Sequence, residues 1–115
     1  MTSPTQRSKA YAKKLGYAVA VVEHWNSFAR VRQDLFGFGD LLCMKAGEPL
    51  LLVQTTTTGN MQSRIVKIAA LPESALWIST GNTIAVWGWA KRGGKGKRKV
   101  WTLKAMNYPL PVEEK

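Results

Sequence analysis

Three polar residues close off apolar runs and mark where chemistry is to be sought. Asp40 precedes Leu41-Leu42-Cys43-Met44, and Gln54 and Thr56 follow Leu50-Leu51-Leu52-Val53. Two apolar strands that end in polar side chains at one shared edge make a site rather than a core. An amide within an apolar strand must be hydrogen-bonded, so Gln54 needs a partner at that edge. Asp40 has the alternative of capping a turn after Gly39, and Thr56 that of filling a strand for which it has good propensity. Glu23 and His24 end an earlier apolar run, residues 17–22. Glu23 is a further candidate carboxylate. His24 is read as a surface or loop residue, with a proton shuttle as the alternative. Asp34 is read as structural, paired with Arg30 or Arg32.

A second chemistry lies in residues 91–99, where Lys91, Arg92, Lys95, Lys97, Arg98 and Lys99 are interleaved with Gly93, Gly94 and Gly96. A flexible cationic loop of this kind suits sequence-blind, salt-dependent contact with a phosphate backbone. Arg30 and Arg32 offer a second phosphate-binding strip. Trp87, Trp89 and Trp101 flank the basic loop, and alternating Trp on paired strands is read as core or cross-strand packing. Gly37 and Gly39, around Phe38, either admit a phosphate backbone or bend a strand. Their spacing matches neither the dinucleotide nor the Walker fingerprint.

These residues need elements to hold them. The spacing predicts a helix from Thr5 or Gln6 to Leu15, with Gly16 as its C-terminal cap and Ala10, Tyr11 and Leu15 on its apolar face. Residues 17–22 read as a buried strand, and residues 27–34 as loop or a short extended arm. A second strand spans 38–44, residues 45–49 form the hairpin turn, and a third strand spans 50–56. Thr58 or Asn60 caps a helix over 61–70, with Ile65, Ile68 and Ala69 inward and Arg64 and Lys67 near its other face. Pro72 opens a short helix over 73–79, closed by Gly81. Strands at 83–89 and 100–104 follow, joined by the basic loop. The helix after strand three must cross over to reach a parallel strand four. The expected fold is therefore α/β, a single mixed sheet of about five strands flanked by helices in the order α-β-β-β-α-α-β-β.

The chain has 115 residues and 45% hydrophobic content, which suits one domain over 1–115 with loose ends at 1–4 and 109–115. Its 17 basic against 7 acidic residues give a net charge of +10. That charge calls for an anionic partner, nucleic acid before a membrane surface. The single cysteine, Cys43, sits in an apolar run as a small buried hydrophobe. It suits a reducing cytosol. No signal peptide and no membrane span is expected.

This order of elements and polar positions resembles the PD-(D/E)XK nuclease superfamily, most closely its small phage-type and Holliday-junction-resolvase-like members. In that family an Asp begins strand two, a Glu-x-Lys or Gln-x-Lys lies near the end of strand three, and the next helix packs behind the site. Asp40 stands at the Asp position, Gln54 at the Glu or Gln, and Thr56 where the Lys usually is. The resemblance covers about residues 5–105. It implies a restriction-endonuclease-like fold and a Mg²⁺ or Mn²⁺ cofactor held by Asp40, Gln54 and the carbonyl of Thr55, since hard cations take oxygen ligands. It also implies a catalytic set of Asp40, Gln54, Thr56, Glu23 and Lys67. Thr56 carries no charge, so the lysine's role is either vacant or moved to Lys67 or Arg64. Phosphate contacts fall to Arg30, Arg32, Arg64 and the basic loop. The implied protein is a prokaryotic or phage, cytosolic, DNA-binding, metal-dependent phosphodiesterase of endonuclease or junction-resolving type. A homodimer is expected, because branched DNA presents two symmetric strands. The alternative is a catalytically degenerate nucleic-acid-binding protein on the same fold. Glu23 separates the two readings, because its convergence on Asp40 favours catalysis.

Overall fold

A computed structural model of the chain describes residues 3–109. The loose ends expected at 1–2 and 110–115 lie outside the described residues. The first helix, α1 (Pro4–Lys14), starts on a capping box. The Ser3 hydroxyl accepts from the Gln6 N–H at 3.2 Å, and the Gln6 side chain accepts from the Ser3 N–H at 3.0 Å. Ser3 and Pro4 are thus the organised start of a helix, where a loose end is expected. Gly16, at φ +97°, ends it as expected. The face turned inward carries Ser8 and Ala12, not Ala10 and Leu15. Ser8 tolerates burial because its hydroxyl accepts from the Trp89 indole N–H at 2.9 Å.

The strands are β1 (Ala18–Val21), β2 (His24–Asn26), β3 (Val31–Gln33), β4 (Leu41–Met44), β5 (Leu51–Thr57), β6 (Thr83–Arg92) and β7 (Val100–Tyr108). Five of them form one mixed sheet in the order β1-β4-β5-β6-β7, and β2 and β3 pair separately. Only β5 and β6 run parallel. Parallel neighbours need a crossover. A 3-10 turn (Thr58–Asn60), α2 (Met61–Ala70) and α3 (Pro72–Ser79) supply it. One face of the sheet packs Leu41, Cys43, Val53, Ala85 and Trp87 against Ala12 of α1. The other packs Phe38, Leu52, Ile84 and Val86 against Met61, Ile65 and Ile68 of α2. Ala69, expected inward, is exposed. The result is the expected mixed five-stranded α/β sheet with helices on both faces.

Three expectations about strands need correction. Residues 17–22 read as a buried strand, yet β1 is an edge strand in which Ala18, Ala20 and Val21 are exposed. A continuous apolar run signals burial only when both faces and both edges are covered, and among the described residues β1 has only one neighbour, β4. Residues 27–34 are not an open loop or arm. They complete the β2–β3 hairpin, in which Trp25 pairs with Arg32 and Asn26 with Val31. The second sheet strand begins at Leu41 rather than Phe38, because residues 34–39 fold into a tight turn. Leu35 N–H donates to the Gly39 carbonyl at 2.8 Å, and Phe36 and Gly37 take φ +55° and +85°.

That turn explains Gly39. A Cβ there would collide with Cδ1 of the fully buried Leu52. Gly39 serves close packing, and a phosphate backbone has no access to it. The variant Gly39→Ala is expected to lose about 1–3 kcal/mol of stability, as overpacked cores do, read as a lower urea midpoint. At the other end of the chain, β6 runs on past Trp89 to Arg92, and Arg92 pairs with Val100. The flexible tip is therefore confined to residues 93–99. Trp87 and Trp89 are buried edge-on to Tyr11, at 5.3 and 6.3 Å, which is the packing role expected of them. Trp101 is exposed, with the Arg7 guanidinium 3.5 Å over its ring. Among the described residues, no helix is long and apolar enough to cross a membrane.

Candidate active site

The sheet register puts the polar residues at one end. Val21 faces Leu41, Leu41 faces Val53, and Val53 faces Ala85. Beyond that line lie Glu23 after β1, Asp40 before β4, residues 54–57 of β5, and the stretch of β6 that leads to the basic tip. This is the carboxyl end of the parallel pair, where open α/β sheets place their ligands.

Asp40 is held on both sides. Its N–H donates to the Val53 carbonyl and its carbonyl accepts from the Val22 N–H, each at 2.9 Å. There β4 ends, while β5 continues. The Thr55 N–H, facing the side that β4 has left, would be orphaned. The Asp40 carboxylate replaces the missing strand: its Oδ2 accepts from the Thr55 N–H and from Gln54 Nε2, both at 2.7 Å. Asp40, Gln54, Thr55 and Thr56 are all buried. The bond to Asp40 fixes the Gln54 amide, and it leaves Gln54 Oε1 buried without a partner among the described residues. The Thr55 carbonyl lies on the same side of β5 as its N–H. The Thr55 hydroxyl bonds that of Thr5 at 2.9 Å and so ties α1 to this end of the sheet.

Two further carboxylates converge on Asp40. One oxygen each from Glu23, Asp34 and Asp40 lie within 4.8 Å of one another. Asp34, expected to be structural and paired with Arg30 or Arg32, belongs to the site. Its ion-pair partner is Lys67 Nζ, at 3.3 Å, and Arg32 instead binds Glu23 at 3.2 Å. The reason is geometric. The turn at 34–39 folds Asp34 back beside Asp40, and α2 carries Lys67 over it. The available signal was the pair Asp34 and Asp40 flanking a stretch with Gly37 and Gly39, which permits a turn but does not fix how closely its ends approach.

Burial drives the Asp40 carboxyl up, and the neighbouring Asp34 and Glu23 carboxyls push it further. The Thr55 N–H pulls the other way, and the outcome is a rise from 3.8 to about 8. One buried and two half-buried carboxylates that repel one another, beside an amide oxygen with no donor among the described residues and a main-chain carbonyl, match the donor set of a hard divalent cation. Between pH 3.8 and about 8 the folded chain keeps a proton that the unfolded chain has released. Stability of the metal-free protein must then fall as pH rises through that window. Thermal melts in chelator should show Tm decreasing from pH 5 to pH 8, and added Mg²⁺ should restore it most at the higher pH. A pH-independent Tm in chelator would contradict the buried, carboxylate-crowded environment of Asp40.

The remaining candidates divide. Lys67 reaches the cluster. Thr56 is buried, and no described hydrogen bond joins it to the cluster. It lines, with Thr57, Glu23, Arg32 and Arg64, a cleft of about 300 Å³ beside the carboxylates. Within this cleft Arg64 has a buried Nε with no partner among the described residues. His24 is exposed and lines a neighbouring cleft with Asp34 and Lys67. Arg30 is set apart at the far end of the β2–β3 hairpin. Arg32 is exposed on β3 and bound to Glu23 at the root of the same hairpin. Lys91 and Arg92 are exposed on β6, and Lys95, Lys97, Arg98 and Lys99 are exposed in the tip. Compared with known proteins, the chain matches no family model, no curated protein and no solved structure.

Proposed function

We propose that this chain is a metal-dependent phosphodiesterase acting on DNA, of endonuclease or junction-resolving type, on a restriction-endonuclease-like fold of the PD-(D/E)XK kind. The observation that carries the proposal is the convergence of Glu23 and Asp34 on Asp40, beside the unpartnered Gln54 Oε1. Support for the architecture comes from the strand order. A three-stranded antiparallel meander, a helical crossover and a parallel fourth strand put the Asp and the Gln-x-Thr segment face to face.

Asp40, Gln54 Oε1 and the Thr55 carbonyl would hold Mg²⁺ or Mn²⁺, with Glu23 and Asp34 as added carboxylates. Bound there, the cation supplies Lewis-acid stabilisation of phosphate charge and a more acidic water. The chain's own residues do the rest. Glu23 and Asp34 supply the negative charge that Gln54 lacks relative to a Glu. Lys67, held at the cluster by Asp34, places an ammonium where Thr56 offers none. Arg64 meets phosphate in the adjacent cleft, and the basic tip rises from the same end of the sheet to hold the backbone. The outer edge of β1 has no strand partner among the described residues, which supports a dimer matched to a two-fold substrate.

The test is incubation of plasmid, flapped and four-way-junction DNA with Mg²⁺ or Mn²⁺, beside Asp40→Ala. Cutting that requires both the metal and Asp40 is the expected result. Tight binding without cutting in either metal would replace the enzyme by a degenerate binding protein. Cutting that survives Asp40→Ala would overturn the site.

A further inference from the structure

The β2–β3 hairpin is rooted in the site and ends in an aromatic side chain that touches nothing. Glu23 immediately precedes β2 and Asp34 immediately follows β3, so both stems begin at carboxylates of the cluster. At the other end, Phe28 is 100% exposed. Monomeric proteins tolerate scattered surface apolar groups, but a large aromatic with no contact at all is an unusual expense of exposed surface. The tip is also built rather than slack. The Asn26 side-chain oxygen accepts from the Phe28 N–H at 3.0 Å and from the Ala29 N–H at 3.1 Å. Arg30 closes the turn in the left-handed region at φ +54°. The backbone that presents Phe28 is therefore fixed in advance, which lowers the ordering penalty on contact.

The chemistry around Phe28 selects the occupant. Residues 24–33 carry Arg30 and Arg32 and no acidic residue, and Trp25 on the stem is also exposed. An apolar protein surface would not be matched by cations beside the aromatic. A stacked base next to a phosphate is matched by Phe28 and Arg30.

We propose that the β2–β3 hairpin is a wedge whose Phe28 stacks between bases and opens a base step of the DNA held at the carboxylate site. This rests on the reading of the chain as a DNA-binding protein. Four residues lie between Glu23 and Phe28, and three of them form the extended strand β2, so at about 3.3 Å per residue the strand carries the wedge roughly 10 Å from the carboxylates. That span is about three base-pair steps of 3.4 Å each. The wedge therefore acts as a ruler as well as an opener: it selects DNA in which an easily unstacked step, such as a branch point or flap base, lies a few steps from the phosphate at the site. Apolar side chains inserted at base steps unstack them in this way.

The experiment uses full-length protein in chelator with four-way-junction DNA carrying 2-aminopurine near the branch, and plain duplex for comparison. Wild-type protein should raise 2-aminopurine fluorescence on the junction. Phe28→Ala should abolish the rise and weaken junction binding about tenfold or more, as loss of one base stack does, with duplex binding less affected. Phe28→Trp should keep both effects. Because Phe28 makes no contact, the Tm of each variant should equal that of the wild type. If wild type binds DNA without the fluorescence rise, or if Phe28→Ala matches wild type, the wedge is overturned while DNA binding stands. If no DNA is bound at all, both the wedge and the reading beneath it fail. If Phe28→Ala changes the sedimentation mass and not the DNA response, the hairpin is a protein contact instead.

Discussion

Replacing Asp40 with Asn should make the metal-free protein more stable and abolish the proposed DNA cleavage. An Asn side chain keeps the oxygen that accepts from Thr55 N–H and Gln54 Nε2, so the end of β5 remains satisfied. Its amide nitrogen replaces the oxygen that now faces Asp34 and Glu23, turning carboxyl repulsion into a charge-assisted hydrogen bond. At pH 8 the gain is expected to be about 1–3 kcal/mol in chelator, the scale of a hydrogen bond to a charged group. The same change removes the central charged donor of the proposed cation site. Mg²⁺ should no longer raise Tm, and cutting should fall about a thousandfold, corresponding to several kcal/mol of lost transition-state stabilisation. Stability and activity thus move in opposite directions. Paired melts and cleavage assays measure both. A variant that is less stable in chelator yet still responds to Mg²⁺ would reduce Asp40 to a strand-end cap.

Neutralising Lys95, Lys97, Arg98 and Lys99 together should have the second-largest effect, confined to binding. These side chains lie on a tip of exposed residues whose internal main-chain bond runs from the Lys97 N–H to the Gly94 carbonyl. Changing them to Gln should leave Tm unaltered. Each phosphate contact contributes about 0.9 to the slope of log K against log salt, so four lost contacts should flatten that slope by roughly 3–4. Affinity at low salt should fall about 100- to 1000-fold, on any DNA sequence, because backbone contacts carry no base information. Fluorescence-anisotropy titrations over a range of salt give both quantities. A slope equal to that of the wild type would remove the tip from the proposed DNA interface. The tip and the wedge separate cleanly, since the first alters salt dependence and the second alters base stacking.

Much of the frame was legible in the chain. The limits of α2, the Pro72 start of α3, the Gly16 and Gly81 stops and the strand content of the sheet follow from local propensity and from where turn residues fall. Asp40 opposite Gln54 was also legible, because two antiparallel apolar strands joined by a short turn admit few registers. Other features were not. The inward face of α1 was misread because Ser8 is polar, and its burial depends on an indole N–H from Trp89, a residue far away in the chain. The exposure of β1 was hidden because an apolar run reads the same at a sheet's edge as at its centre. The β2–β3 hairpin was hidden because its strands are three residues each, below the length at which alternation is readable.

By itself the sequence determined the helices and the five strands of the main sheet, the cationic loop and the polar ends of the two central strands, since all of these follow from nearest-neighbour chemistry. Only the tertiary structure decided that Asp34 and Glu23 join Asp40, that Lys67 and not Arg30 or Arg32 answers Asp34, and that the same two carboxylates root the hairpin that carries Phe28. Those facts depend on which chain segments the turn at 34–39 and the crossover through α2 bring to one end of the sheet. Charges of like sign are placed that close by the packing of the strands and helices that carry them, and no local rule of sequence encodes that packing.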